Sequence, residues 1–174
     1  MATVFGPKRS FTGNLYVGGN FSDYNGSAFE NFTKLNSTDA SLFSGSPYNA
    51  TSFNGFIFAM TKYTSRRILV GGDFATYNGN DSSYLVSIDF DGNIDNIFRV
   101  YNNIQGVIYA IGVDSYDRVI IGGDFVSYGG IYTVGSIMRL NLDGSFDTTF
   151  SNGYAGFEGI VMSIAVQKDG KILV

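Results

Sequence analysis

The stretch that decides the fold is "ILVGGDF", Ile68–Phe74. Nearly the same phrase occurs as "LYVGGNF", Leu15–Phe21, and as "VIIGGDF", Val119–Phe125, and the sequence ends on "KILV", Lys171–Val174. The residue before each glycine pair marks the register: Val17, Val70, Ile121 and, at the terminus, Val174, spaced by 53, 51 and 53 residues. A repeat this long belongs to solenoids or propellers, in which each unit is a supersecondary element that must stack on its neighbours.

Each unit divides further. Thirteen positions before its marker an apolar run begins: "IFAM" at Ile57, "IYAI" at Ile108 and "VMSIAV" at Val161, with Val4 as the first counterpart. A turn ("KYTSRR", "VDSYDR", "QKDGK") leads into the marker strand. Next comes a tyrosine with a turn pair: Tyr24, Tyr77 and Tyr128, followed by Asn-Gly, Asn-Gly and Gly-Gly. A third apolar strand follows ("FTKLN", "YLVSIDF", "SIMRLNL"), then a short piece ending in Phe43, Phe98 or Phe150. Asp91-Gly92 and Asp143-Gly144 are hairpin signals between strands three and four, and Asp169-Gly170 is one between strands one and two of the last unit.

The first two strands are almost continuously apolar, as expected when both faces are covered, whereas Val86, Ile88 and Phe90, and likewise Met138, Leu140 and Leu142, alternate. The expectation is an all-β β-propeller of four-stranded blades with a period of about 52 residues. Three blades, at 1–45, 56–99 and 107–151, precede the first two strands of a fourth at 160–174. A β-helix is the structural rival; the Asp-Gly hairpins favour antiparallel strands.

Composition agrees. The 174 residues include 16 Phe, 12 Tyr and 23 Gly but only 2 Pro, and 44% are hydrophobic against 15% charged. Aromatic residues suit pleated surfaces, and Gly with Asn suits tight turns. No run of 18 uncharged apolar residues is present, so no membrane insertion by a helix is expected. The net charge of −4 argues against a nucleic-acid partner. Lys8-Arg9 and the equivalent Arg66-Arg67 read as charged hairpin tips. With neither Cys nor His, disulfide, thiol and imidazole chemistry are excluded. The N-terminus has no signal-peptide pattern, which points to synthesis in a cytoplasm or to a replaced native start.

"ILVGGDFATYNG" (68–79), "MRLNLDGSFDTTF" (138–150) and "VQKDGKILV" (166–174) resemble the delta-60 repeat family of β-propellers. The first unit departs most, with Asn20 where the others have Asp73 and Asp124, and with a hairpin "KLNSTDASLF" two residues shorter. The resemblance implies a ring of six to eight blades used as a binding or structural scaffold, found in bacterial surface proteins and phage virions. It implies no single reaction.

The candidate motifs are read as follows. Gly18, Gly19, Gly71, Gly72, Gly122 and Gly123 are structural repeat residues that allow close strand approach, and Asp73 and Asp124 are read as accepting backbone N–H bonds. "DFDGNID" (89–95) and "NLDGSFD" (141–147) look like hairpin turns rather than calcium loops, because the EF-hand glycine and final acid are misplaced. The sequons at Asn20, Asn25, Asn31, Asn36, Asn49 and Asn80 are read as turn chemistry. Tyr24, Tyr77 and Tyr128 are taken as structural, and Tyr101, Tyr132 and Tyr154, which have no equivalents, as candidate partner contacts. No catalytic, cofactor or metal residue is nominated.

Function therefore reads as a non-catalytic structural or adhesion module in a phage virion or tail, mediating protein–protein assembly. The alternative is a carbohydrate-binding or host-recognition module on a bacterial surface or tail tip. The expected partners are proteins or further blades completing the open edge at Val174, and glycans. Stopping inside an apolar strand implies either a partial chain or a neighbour that covers the edge.

Overall fold

The computed structural model describes residues 2–5, 14–43, 53–100, 104–130, 132–133, 135–150 and 156–174. Every strand pairing among them is antiparallel, and no helix occurs among them.

Unit 1 contains β1 (Ala2–Phe5), β2 (Asn14–Gly19), β3 (Asp23–Tyr24), β4 (Ser27–Ala28) and β5 (Phe32–Asn36). Unit 2 contains β6 (Phe56–Tyr63), β7 (Arg67–Asp73), β8 (Thr76–Tyr77), β9 (Asn80–Asp81) and β10 (Leu85–Asp89). Unit 3 contains β11 (Ile104–Val113), β12 (Val119–Tyr128), β13 (Tyr132–Thr133) and β14 (Ile137–Leu140), and unit 4 contains β15 (Ala165–Val166) and β16 (Ile172–Leu173).

The sheets β1-β2-β5, β6-β7-β10 and β11-β12-β14 are the sequential meanders of propeller blades, with the marker strand always central. The fourth member is slighter than a strand: Leu35–Leu42, Ile88–Ile94 and Leu140–Phe146 are single bridges. A two-residue ribbon between the second and third strands was read only as a turn in the sequence. Asn78 (φ 51°) and Gly79 (φ 74°), like Gly129 and Gly130, hold both central turn residues in the left-handed region, the type I′ geometry that an Asn-Gly pair selects.

The continuous apolar character of β7 has a direct explanation. Ile68 and Val70 enter a core with Tyr16, Phe32, Phe53, Ile57 and Met60 from units 1 and 2. Leu69, pointing the other way, enters a second core with Phe98, Ile108, Ile121 and Met138 from units 2 and 3. Both faces of the blade are covered, one by each neighbour. The alternation of the third strands holds at Val86 and Ile88, which share a core that Phe90 flanks, but fails at Leu142, which is exposed. Phe53, absent from the sequence reading of the core, is fully buried and packs edge-on to Phe32 (5.5 Å) and Phe74 (4.7 Å), joining unit 1 to unit 2. Its bridge to Tyr77 extends unit 2 upstream of residue 56.

The first strands of successive units lie beside one another, β1 against β6 and β6 against β11. Each of β6 and β11 carries a bulge, at Phe58 and Tyr109, and these two rings pack together at 5.0 Å across the seam.

Candidate functional site

The two glycines of each pair serve different surfaces. A Cβ on the first would collide with the next unit: Gly18 with Ile57 and Met60, Gly71 with Ile108 and Ile111, and Gly122 with Val161 and Ile164, all at 2.9 Å or less. A Cβ on the second would meet the backbone of its own unit, 2.0 Å from Phe56 O at Gly72 and 2.0 Å from Val107 O at Gly123. The first is a socket for the neighbour, and the second lets the first strand lie close to the marker strand. Asp73 and Asp124 differ from the expectation: their side chains are exposed and bond no described residue. The strand direction alternates at this position and points them to water.

The acids that the fold does use are Asp95 and Asp147, both buried. The Asp95 carboxylate pairs with Arg67 Nε at 3.0 Å and accepts the Ile97 N–H (2.8 Å) and the Ser87 hydroxyl (3.2 Å). Asp147 pairs with Arg139 Nε at 2.7 Å, lies 3.7 Å from Arg118 Nη1, and accepts the Thr149 N–H and hydroxyl. Burial opposes ionisation of Asp147, but Thr149 and Arg139 outweigh it and hold the carboxyl below its ordinary range. Arg67 is thus not the solvated tip residue that the sequence suggested; it begins the strand and turns inward to neutralise Asp95, while Arg66 remains exposed. Lys8-Arg9 lies outside the described residues. In unit 1 both partners are exchanged together: Asn14 stands at the Arg67 and Arg118 position, and Phe43, whose N–H donates to Lys34 O as those of Asp95 and Asp147 donate to Ser87 O and Arg139 O, stands at that of Asp95 and Asp147, so it is not the counterpart of Phe98 and Phe150. A buried carboxylate without its cation is costly, so joint exchange is the tolerable route.

The ribbon tyrosines are structural. Tyr77 donates its hydroxyl to Gly92 O and Tyr128 donates to Gly144 O, both at 2.8 Å, so each pins its ribbon to the outer hairpin. Tyr24 donates to Ala40 O at the same distance in unit 1. The outer hairpins also bolt the seams: Lys34 Nζ donates to Phe90 O at 2.9 Å from unit 1, and Tyr63 donates to the equivalent Leu142 O at 3.3 Å from unit 2. Burial lowers the Lys34 ammonium's pKa, which Asp91 and Asp89 partly oppose. The Asp89 carboxylate accepts the N–H groups of Asp91 and Asn93, which is turn chemistry, and among the described residues no group of three acidic side chains converges as a metal site would require. Asn31 donates to Phe53 O, Asn36 to the Ser41 hydroxyl and Asn80 to Asn78 O; Asn49 lies outside the described residues.

Tyr101 and Tyr154 lie outside the described residues, and Tyr132 lies in β13 opposite Tyr128. Two clefts between the turns were not anticipated. One, of about 600 Å³, is lined by Tyr116, Arg118, Asn141, Leu142, Asp143 and Ser145 in unit 3. The other, of about 390 Å³, lies between units 1 and 2 and is lined by Asn14, Lys34, Phe43, Ser65, Arg66, Phe90 and Asp91. The signal for the second was the departure of unit 1 from the repeat, visible only once its equivalents were seen to form an ion pair.

Residues 65–98 and 117–150 match the family model described as "Domain of unknown function (DUF5122) beta-propeller". Both matched stretches run from the turn before the marker strand to the phenylalanine closing the unit, and both contain a glycine pair, a ribbon tyrosine and a buried aspartate. Blade topology and family match together support a β-propeller repeat. No curated protein and no solved structure matches the chain.

Proposed function

We propose that this chain is a non-catalytic β-propeller module whose task is structural or adhesive, mediating protein–protein assembly, with a phage virion or tail as its setting. One observation carries the reading. The recurrent side chains Tyr77 and Tyr128, Asp95 and Asp147 are bonded within their own units, where they hold the hairpins in place. Lys34, Phe43, Arg66 and Tyr116, which line the clefts, vary between units, the pattern of a rigid frame presenting a variable surface. The test is to locate the chain in its native source by fractionation and to cross-link it there. Stoichiometric recovery in a particle, with cross-links to neighbouring proteins, supports the proposal; recovery only as a free species that turns over a substrate sinks it.

A second reading, carbohydrate recognition, is favoured by the cleft between units 1 and 2, which places the Phe43 and Phe90 rings beside the polar groups of Asn14, Ser65 and Asp91. A glycan array probed with the intact chain tests it, and the absence of any glycan signal would remove it.

A further inference from the structure

The cleft between units 1 and 2 is where the repeat breaks its own chemistry. In unit 2 the corresponding region holds Arg67 closed on buried Asp95, with Ser87 bonded to the same carboxylate. Unit 1 has the shorter Asn14 for the arginine, Phe43 for the aspartate and Lys34 for the serine. A closed ion pair is thereby exchanged for an amide and a buried ammonium at the floor of an open cleft. Phe43 lies under the ammonium at 4.3 Å, Phe90 stands on the unit 2 side, and Arg66 brings a second cation to the rim.

From this arrangement we infer that the cleft binds the carboxylate-bearing ring of an acidic sugar, an inference that rests on the carbohydrate reading above. The cleft volume of about 390 Å³ suits one or two sugar rings. Lys34 and Arg66 both line the cleft with Asp91, and Asp89 also acts on Lys34, so Arg66 is the cation at the rim that an anion would recruit. Arg66 offers its planar fork to a carboxylate, and the Lys34 ammonium, already bonded to Phe90 O, adds positive charge to the same cleft. Asn14, Ser65 and Asp91 supply donors and acceptors for hydroxyl groups, and Phe43 and Phe90 supply apolar faces for the ring's C–H side. An acidic peptide shares the carboxylate but not the hydroxyls, so it serves as a competing probe.

The experiment titrates the intact chain with sodium glucuronate, methyl glucoside and N-acetyl-aspartate amide, following binding by calorimetry and ligand-observed NMR. Arg66→Ala is the principal variant, because Arg66 is exposed and bonds nothing that the fold requires. Lys34→Gln is the second, with thermal unfolding recorded alongside. The expected result is binding of glucuronate in preference to both controls, weakened about tenfold by either variant. Equal binding of the aspartate derivative, or glucuronate binding unchanged in Arg66→Ala, overturns the inference. Neutral sugars binding alone would overturn it while leaving the carbohydrate reading intact; silence with every sugar, on the array as well, ends both.

Discussion

Arg67 Nε lies 3.0 Å from Asp95 Oδ2, and the two side chains are unequally buried, at 32% and 1% exposure. The pair closes the marker strand of unit 2 onto the segment after its third strand. The inequality makes the two halves non-equivalent. Arg67→Met leaves a carboxylate stranded in the interior, with an expected loss of about 2–3 kcal/mol, below the fully buried range because Arg67 keeps part of its side chain in water. Asp95→Ala leaves an arginine that can reach solvent and costs less. The double variant Arg67→Asn, Asp95→Ala, which removes both charges together as unit 1 does, should be more stable than Arg67→Met alone. Urea unfolding of the three proteins measures the ordering.

The glycine pair predicts a different asymmetry. Gly71→Ala forces Ile108 and Ile111 of the next unit aside, an overpacking penalty of about 1–3 kcal/mol. Trimming the neighbour with Ile111→Val, which removes the Cδ1 that lies 2.9 Å from the new methyl, should recover part of it. Gly72→Ala drives a methyl into the Phe56 carbonyl, and no side-chain trimming relieves a backbone clash. A double-mutant cycle read by thermal unfolding should therefore show positive coupling for Gly71 with Ile111 and none for Gly72 with Ile111.

Removing the ribbon hydroxyls should have graded effects. Tyr77→Phe and Tyr128→Phe each leave a buried carbonyl, Gly92 O or Gly144 O, without its donor, and each should lose about 1 kcal/mol. Tyr24→Phe removes a bond in a more exposed setting and should lose less, which chemical unfolding of the three variants would resolve.

Thr33 presents the reverse case. Its hydroxyl is buried without a hydrogen-bond partner among the described residues, at the position where units 2 and 3 carry Val86 and Met138. Thr33→Val keeps the shape and removes the unsatisfied group, so a stabilisation of about 1 kcal/mol is expected, seen as a raised urea midpoint.

The pH dependence follows from Asp89, Asp114 and Asp147, for which burial opposes ionisation but turn N–H groups and side-chain donors prevail, leaving each carboxyl below its ordinary range. The unfolded chain therefore takes up protons first. Stability should be fully present above the ordinary aspartate range near 3.9 and fall as pH drops below it. Asp147→Asn should flatten that fall. At the alkaline end, burial pushes the Tyr63 hydroxyl up to about 12, assisted by Asp117 and Asp95. Stability should decline as pH rises from about 10 towards 12, and ultraviolet titration should show a tyrosine class still protonated when the exposed ones have ionised.

By itself the sequence determined the repeat, its register, the order of strands and the two-faced burial of the marker strands. These follow from short-range periodicity, from turn residues at fixed offsets and from a 51- to 53-residue spacing that needs no third dimension to be seen. Tertiary structure alone decided which side chains those strands bring together. Gly71 and Gly72 are identical in sequence, yet one faces the next unit and the other its own backbone, because successive residues of a strand point to opposite sides. Arg66 and Arg67 are likewise neighbours of one chemistry, and only the position of Asp95, 28 residues on, separates the exposed one from the paired one. The cleft between units 1 and 2 was the least legible feature, since it is formed by residues from two units, and its chemistry becomes visible only against the ion pair that unit 1 lacks.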